Sequence, residues 1–454
     1  MRRMLHPYAD IPEISLAGDS VGVIRIPVEQ DVPFTPRVRA VVDTAEFQRL
    51  SHITQLALAA RVYPGATHTR FEHALGVYHN ALKYLWQLGR DPRFAEIVTQ
   101  RDAEILIVAA LLHDIGHWPF CHPIEDMNLP EMPPHEVFAR EFLAPDGELT
   151  AVLLQTWGIA ADEVLDLLTA RSDSRRQRLM RSVLSGPVDI DKMDYLNRDS
   201  QHCGVPYGKH FDRHRLISSL ILNAAGDGLA ITTKGRTAAE MMVFARYVMF
   251  SEVYWHHAVR AATTMFARAF HDIHQSLDLT MLFRLPEPEL IRQICRAAQD
   301  TPAERLTNGL FGSHRRLHKR LAEYSVYHET DVYRVLRQCS CPQLIAFSRQ
   351  LTQSLVAACG CSLTDTDILI DAPPRHREVE FHVDVYFARE NRFRPLRDVS
   401  PIVNAMARNQ FDDCVKRVRV FGSDAAVAAI GTNRGLIDEI VREQVQKMPV
   451  ADPH

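Results

Sequence analysis

The chain has 454 residues, 46% hydrophobic and 24% charged. At about 100–200 residues per domain, that length allows two to four domains and a core that needs no disulfide or metal to fold. With 52 Lys and Arg against 56 Asp and Glu, the net charge of −4 excludes a protein whose main role is to coat nucleic acid or an acidic membrane.

Residues 1–20 hold two arginines but no apolar run of signal-peptide length. Val21–Val28 predicts a short strand. From Thr44, the residues Phe47, Leu50, Ile53, Leu56, Leu58 and Val62 recur at helical spacing, and Pro64-Gly65 ends that helix. A second helix is expected from Thr69 to Leu88, stopped by Gly89. A third, Asp102 to Ile115, opens on an acidic cap and is almost wholly apolar over Ile105–Leu112, which places it in a core. No apolar stretch is longer than that one, and it is far short of a membrane span. Short helices are predicted at 136–144, 161–170, 175–184 and 189–200. A long helix is predicted from Thr237 to Ser276, and a helical region from about 287 to 358. Val379–Phe387 and, more weakly, Val415–Phe421 alternate as strands, with helices near 399–408 and 432–446. The expectation is a mostly α protein with a helical core domain over 1–280, a helical extension over 281–375 and a small α+β subdomain over 376–454.

The cysteines are Cys121, Cys203, Cys295, Cys339, Cys341, Cys359, Cys361 and Cys414. Without a signal peptide they read as reduced thiols in a cytoplasmic protein. The C-x-C pairs Cys339/Cys341 and Cys359/Cys361 lack the usual C-x2–4-C spacing of a zinc site. Basic clusters at Arg171–Arg181, Arg315–Arg320 and Arg392–Arg397 read as solvated faces. The first two leave room for weak binding of single-stranded nucleic acid.

Histidine is abundant, at 22 residues, and it is both the commonest metal ligand and the usual acid or base near neutral pH. The strongest local signal is ALLHDIGHWPFCH, residues 110–122, where an apolar helix runs into His113-Asp114 and then His117 and His122. Burying an imidazole and a carboxylate is costly unless they are paired or bound to metal. One His-Asp pair cannot fill a coordination sphere, so further ligands must come from HTRFEH (68–73) and DIDKMDYLNRD (189–199). Two imidazoles and two carboxylates suit Fe, Mn, Ni or Zn, and carboxylates also tolerate Mg.

The order H…HD…D, met by His73, His113-Asp114 and Asp191, resembles the HD-domain phosphohydrolases. More narrowly, the chain is similar to the deoxynucleoside triphosphate (dNTP) triphosphohydrolases. These include the bacterial dGTPase-like proteins and the catalytic core of the sterile-alpha-motif HD-domain enzyme. The matching segments are DTAEFQRL (43–50), YPGATHTRFEHALGV (63–77), LLHDIGHWPFCH (111–122), VDIDKMDYLNRD (188–199), YWHHAVRA (254–261) and PLRDVSPIV (395–403), in the family's order. The chain is expected to begin at the catalytic core, without the sterile-alpha-motif domain.

The resemblance implies His73, His113, Asp114 and Asp191 as ligands of a divalent metal. It implies His117, His122 and His135 as active-site histidines around the α-phosphate, with Glu125 orienting His122 where an aspartate is more usual. Arg70, Lys192 and Arg246 match phosphate-binding positions, Tyr195 and Asp199 line the sugar and phosphate region, and Gln55 and Leu56 meet the sugar and base. Tyr254 matches the aromatic packed on the sugar, and His256 and His257 belong to the same pocket helix, with His257 standing where lysine is usual. Arg246 and His257 are three helical turns apart and are expected on one face. A dNTP substrate, hydrolysis to deoxynucleoside and inorganic triphosphate, and a homo-oligomer (dimer or tetramer) follow from the same resemblance. A regulatory nucleotide site is not expected in its usual form. Asp43, Gln48 and Lys234 are kept, but Ser51, Arg25 and Thr232 depart from its pattern.

Overall fold

The computed structural model describes residues 6–15, 22–130, 132, 134–373, 382–408, 415–431, 433 and 435–448. Cys414 and the start of the strand expected from Val379 lie outside the described residues.

The chain opens with an antiparallel hairpin, β1 (Val23–Ile26) and β2 (Gln30–Pro33). Its turn carries the buried Glu29, which pairs with Lys83 and Arg213, with His79 Nδ1 at 3.1 Å. Burial alone raises the Glu29 pKa, but His79, Arg213 and Lys83 outweigh it and hold the carboxyl well below its usual range. A carboxyl depressed in the folded state stabilises fully above its unfolded pKa and loses that contribution as the pH falls below it. Glu29→Gln is therefore expected to lower stability near neutral pH by on the order of 2 kcal/mol, a value discounted for the solvent access of Lys83. Urea unfolding of both proteins should show that gap closing between about pH 7 and pH 3, and a constant gap would count against the assignment.

The helix expected from Thr44 to Val62 is instead a short helix over Ala45–Gln48 and two 3-10 turns, Arg49–His52 and Ala57–Arg61. The periodicity marked a buried face correctly, but tertiary pairing breaks the helix. Gln55 N–H donates to His68 O at 2.9 Å and Arg70 N–H to Ile53 O at 3.0 Å. Ala57 then turns the chain with φ 47°. Arg49 is released to donate to the carbonyls of His117 (2.6 Å) and Phe283 (3.0 Å).

Helix α1 (Arg70–Leu88) and helix α2 (Gln100–Leu112) pack together. Helix α2 starts at Thr99, whose side chain forms a capping box with Asp102, so Asp102 sits inside the first turn and is not the cap itself. Its buried apolar length ends at His113. Two short helices follow, α3 (Cys121–Glu125) and α4 (His135–Phe138). Helix α5 (Ile190–His202), capped by Asp189, packs on α1. After β3 (Leu220–Leu222) and β4 (Leu229–Thr232), the long expected helix divides into α6 (Arg236–Met249) and α7 (His257–Ile273). A π-helical turn over Phe250–Tyr254 and a break at Trp255-His256 separate them.

The extension holds α8 (Glu287–Ala298), α9 (Glu304–Phe311), α10 (Thr330–Arg337) and α11 (Cys341–Cys359), but also β5 (Lys319–Tyr324), where only helix was expected. The remaining strands are β6 (Ile368–Asp371), β7 (Asp384–Phe387), β8 (Arg392–Pro395) and β9 (Val418–Gly422), and α12 (Gly435–Gln446) ends the described fold. The sheet order is β3-β4-β7-β8 in one case and β5-β9-β6 in the other. Both sheets therefore cross the boundary expected at 376. Val383, Val385, Leu396 and Val403 join the main core. Val418 through Val445 build a second core with Ala322 through Leu355. The protein is mostly α, with small sheets that pin its C-terminal part onto the helices. No helix among the described residues is long and apolar enough to cross a membrane.

Candidate active site

A cavity of about 1160 Å³ opens between α1, α3, α5, α6 and α7. It exceeds the roughly 300–1,000 Å³ of most ligand pockets, so a nucleotide fits. On its floor, His73 from α1, His113 at the end of α2 and Asp191 from the first turn of α5 place ligand atoms within 4.8 Å of one another. His73 Nε2 lies 3.2 Å from His113 Nε2 and 3.0 Å from Asp191 Oδ1. Asp114 Oδ1 is 3.4 Å from His113 Nε2.

The outer nitrogens of both rings are engaged. His113 Nδ1 lies 2.9 Å from Ala110 O and must donate to it; His73 Nδ1 lies 2.8 Å from Asp194 Oδ2. Neutral rings so oriented aim two lone pairs at each other, which demands a cation between them. With a proton as the only cation, burial opposes the charge on His73, but the hydrogen bonds to Asp191 and Asp194 prevail and raise its pKa to about 10. The set of two imidazoles and two carboxylates fits a borderline divalent ion, and the four expected ligands are brought together.

Layers of buried charge hold this cluster. Arg70 Nη1 donates to Asp114 Oδ2 at 2.6 Å. Behind His73, Asp194 takes both forks of Arg198 at 2.7 Å, with both side chains fully buried. Arg198 also reaches Glu72 (2.5 Å) and the Pro27 carbonyl (2.9 Å), which ties the hairpin turn to the metal floor.

Beside the cluster, the His117 and His135 rings lie with centroids 3.8 Å apart and planes tilted by 39°, and His122 stands 5.3 Å from His117. Glu125, expected to orient His122, lies 3.6 Å from that ring but 2.9 Å from His135 Nδ1, and it accepts the His135 backbone N–H at 2.8 Å. The longer glutamate therefore serves His135 first. Burial opposes the His135 charge, but Glu125 raises its pKa; burial and Arg70 push His117 well down.

Gln55, Leu56, Lys192, Tyr195, Asp199, Arg246 and Tyr254 all line the cavity. Tyr254 OH donates to Asp199 Oδ2 at 2.6 Å, and Asp199 Oδ1 meets His68 Nε2 at 2.9 Å. Lys192 Nζ donates to Asp189 Oδ2 at 2.6 Å. His256 and His257 are not among the lining residues. The π turn and the break after it destroy the shared face inferred from helical spacing, and His256 packs on Tyr63 at 5.9 Å instead. Arg260 and Lys416 line the cavity in their stead, with Arg260 bound to Asp371 by two hydrogen bonds of 3.0 and 2.6 Å.

A family model described as the HD domain matches residues 70–199, and one described as the HD associated region matches residues 211–439. The chain belongs to the HD-domain phosphohydrolase family. An uncharacterized protein of Methanocaldococcus jannaschii is 30% identical over 389 residues, covering 85% of this chain and 76% of that one. The human deoxynucleoside triphosphate triphosphohydrolase SAMHD1 is 27% identical over 296 residues, covering 59% of this chain. The match spans only 47% of that relative's length. A hypothetical protein from Aquifex aeolicus has the same fold, with a TM-score of 0.66 at 23% identity over 93% of this chain and all of its own.

This HD protein uses residues that sequence reasoning passed over. Asp194 lies three positions after Asp191, on the same face of α5, and that spacing was a usable signal. Arg198, four residues after Asp194, shares that face as well. Glu72 and His68 gave no such sign, because their partners are distant in sequence. Cys339, Cys341, Cys359 and Cys361 enter no metal-donor cluster among the described residues.

Proposed function

We propose that the chain hydrolyses deoxynucleoside triphosphates at the α-phosphate, releasing deoxynucleoside and inorganic triphosphate. The observation that carries this reading is one cavity that holds the His73/His113/Asp114/Asp191 cluster, the cations Arg70, Lys192 and Arg246, and the Tyr254–Asp199 pair. Relatives named as triphosphohydrolases support it.

His73, His113, Asp114 and Asp191 would hold a divalent ion, which would supply Lewis acidity at the α-phosphate. Arg70, Lys192 and Arg246 bind the triphosphate, and fixed cations of this kind stabilise charge as it develops. Asp189 and Asp114 hold Lys192 and Arg70 in place, so little reorganisation is needed on binding. His135, braced by Glu125, faces the anion, and His122 gives a proton to the leaving 5′-oxygen. Tyr254, fixed by Asp199, packs against the sugar and leaves no room for a 2′-hydroxyl.

The expected result with purified protein, divalent metal and each dNTP is deoxynucleoside and triphosphate in equal amounts. Release of orthophosphate or pyrophosphate would overturn the regiochemistry and favour another nucleotide phosphoester as substrate. A homo-oligomer and a cytoplasmic location belong to the same reading. Arg171, Arg178 and Arg181 are answered by Asp162, Asp166, Asp173 and Asp227, and Arg176 by Asp102, which lowers the charge this face offers to a nucleic acid.

A further inference from the structure

We propose a second cation site beside the first, built from His117, Cys121, His135 and Glu125, that takes a thiophilic divalent ion of the zinc class. It shares no residue with the His73/His113/Asp114/Asp191 cluster.

Donor atoms of His117, Cys121 and His135 all lie within 4.8 Å of one another. The backbone is shaped to bring them together. Phe120 adopts φ 58°, in the left-handed region that a side chain of this size disfavours. That residue reverses the chain between His117 and Cys121, so the thiol at the start of α3 returns beneath the ring. His117 and Cys121 are buried, and His117 Nδ1, 3.1 Å from Asp114 Oδ1, makes no well-aligned hydrogen bond among the described residues. Glu125, whose Oε1 lies 2.9 Å from His135 Nδ1, borders this group and would act as its fourth donor.

One thiolate, two imidazoles and one carboxylate form a tetrahedral zinc donor set, and the sulfur selects against magnesium and calcium. Thiolate and carboxylate together neutralise a dication, which suits a buried position. Cys121, Glu125, His117 and His135 all line the cavity, so an ion can enter by the substrate's route. Occupancy would remove the imidazoles of His117 and His135 from the reaction. On the hydrolytic reading above, the ion is therefore an inhibitor that competes with catalysis.

The test loads the full chain with Co²⁺ and, separately, Zn²⁺, in the native protein, in Cys121→Ser and in Cys121→Ala. The expected result is a thiolate-to-cobalt charge-transfer band in the native protein that both variants lack. The native protein should also bind one more equivalent of either metal than the variants. Zinc should inhibit dNTP hydrolysis, with potency at least ~10-fold weaker in Cys121→Ser. Absence of the band from the native protein, its survival in Cys121→Ser, or equal stoichiometry in all three proteins would overturn the site. The spectrum and stoichiometry need no turnover, so they stand even if the chain hydrolyses no dNTP. The native spectrum decides the matter even if a variant folds poorly.

Discussion

Asp114→Ala is expected to abolish hydrolysis, lower the metal content and destabilise the protein together. Asp114 is 5% exposed and lies against four groups, Arg70, His73, His113 and His117. Burial opposes its charge, but those neighbours outweigh it, His117 and Arg70 first, and hold its pKa well below the usual range. Alanine leaves Arg70 buried without its carboxylate. Removing one partner of a buried pair costs about 3–5 kcal/mol, which a urea midpoint will read. Turnover should fall by about 10²–10³-fold or more, the scale for losing one preorganised electrostatic group. Asp114→Asn keeps the volume and spares part of the stability, yet it should still lose metal and activity. Full metal content in folded Asp114→Ala would remove this residue from the ligand set.

Gly76→Ala is expected to be nearly as damaging, although it adds one methyl group on a helix. A Cβ at Gly76 would stand 1.9 Å from Asp194 Oδ1 and 2.4 Å from Arg198 Nη2. Both side chains are fully buried and bonded to each other, so neither is free to swing away. The methyl must displace Asp194 from Arg198, and with it the hydrogen bond that orients His73. The expected loss is about 3–5 kcal/mol, with metal content falling in step. Gly204→Ala is the control: its φ of +70° is unfavourable to alanine, but nothing lies within 4 Å. It should cost about 1–2 kcal/mol and leave metal binding intact. Equal losses of metal in the two variants would show that backbone strain, and not the Asp194–Arg198 contact, governs the site.

The contrast between residues explains what could be read in advance. Helix α1 and helix α2 were legible because long apolar periodicity survives any tertiary context. His113-Asp114 was legible because a charged pair at the end of so apolar a helix needs a partner. The segment Thr44–Val62 was misread as one helix because its buried face has helical spacing whether or not the hydrogen bonds do. The strands β2 to β6 and β8 escaped notice because three to six residues carry too little alternation to register. His256 and His257 were placed in the pocket by counting turns along an unbroken helix. The π turn at Phe250–Tyr254 shifts that count.

The amino-acid sequence by itself determined the mostly α class and pointed to the ordered set His73, His113, Asp114 and Asp191 as candidate metal ligands. Both rest on local facts: the period of apolar residues, and residue types whose burial has one economical explanation. Tertiary structure alone decided how the set is held. It brought Glu72 up to Arg198, gave Glu125 to His135 before His122, and brought Arg260 and Lys416 into the cavity in place of His256 and His257. Those choices depend on distances between segments far apart in the chain, set by how helices and sheets pack, and no spacing along one segment encodes them.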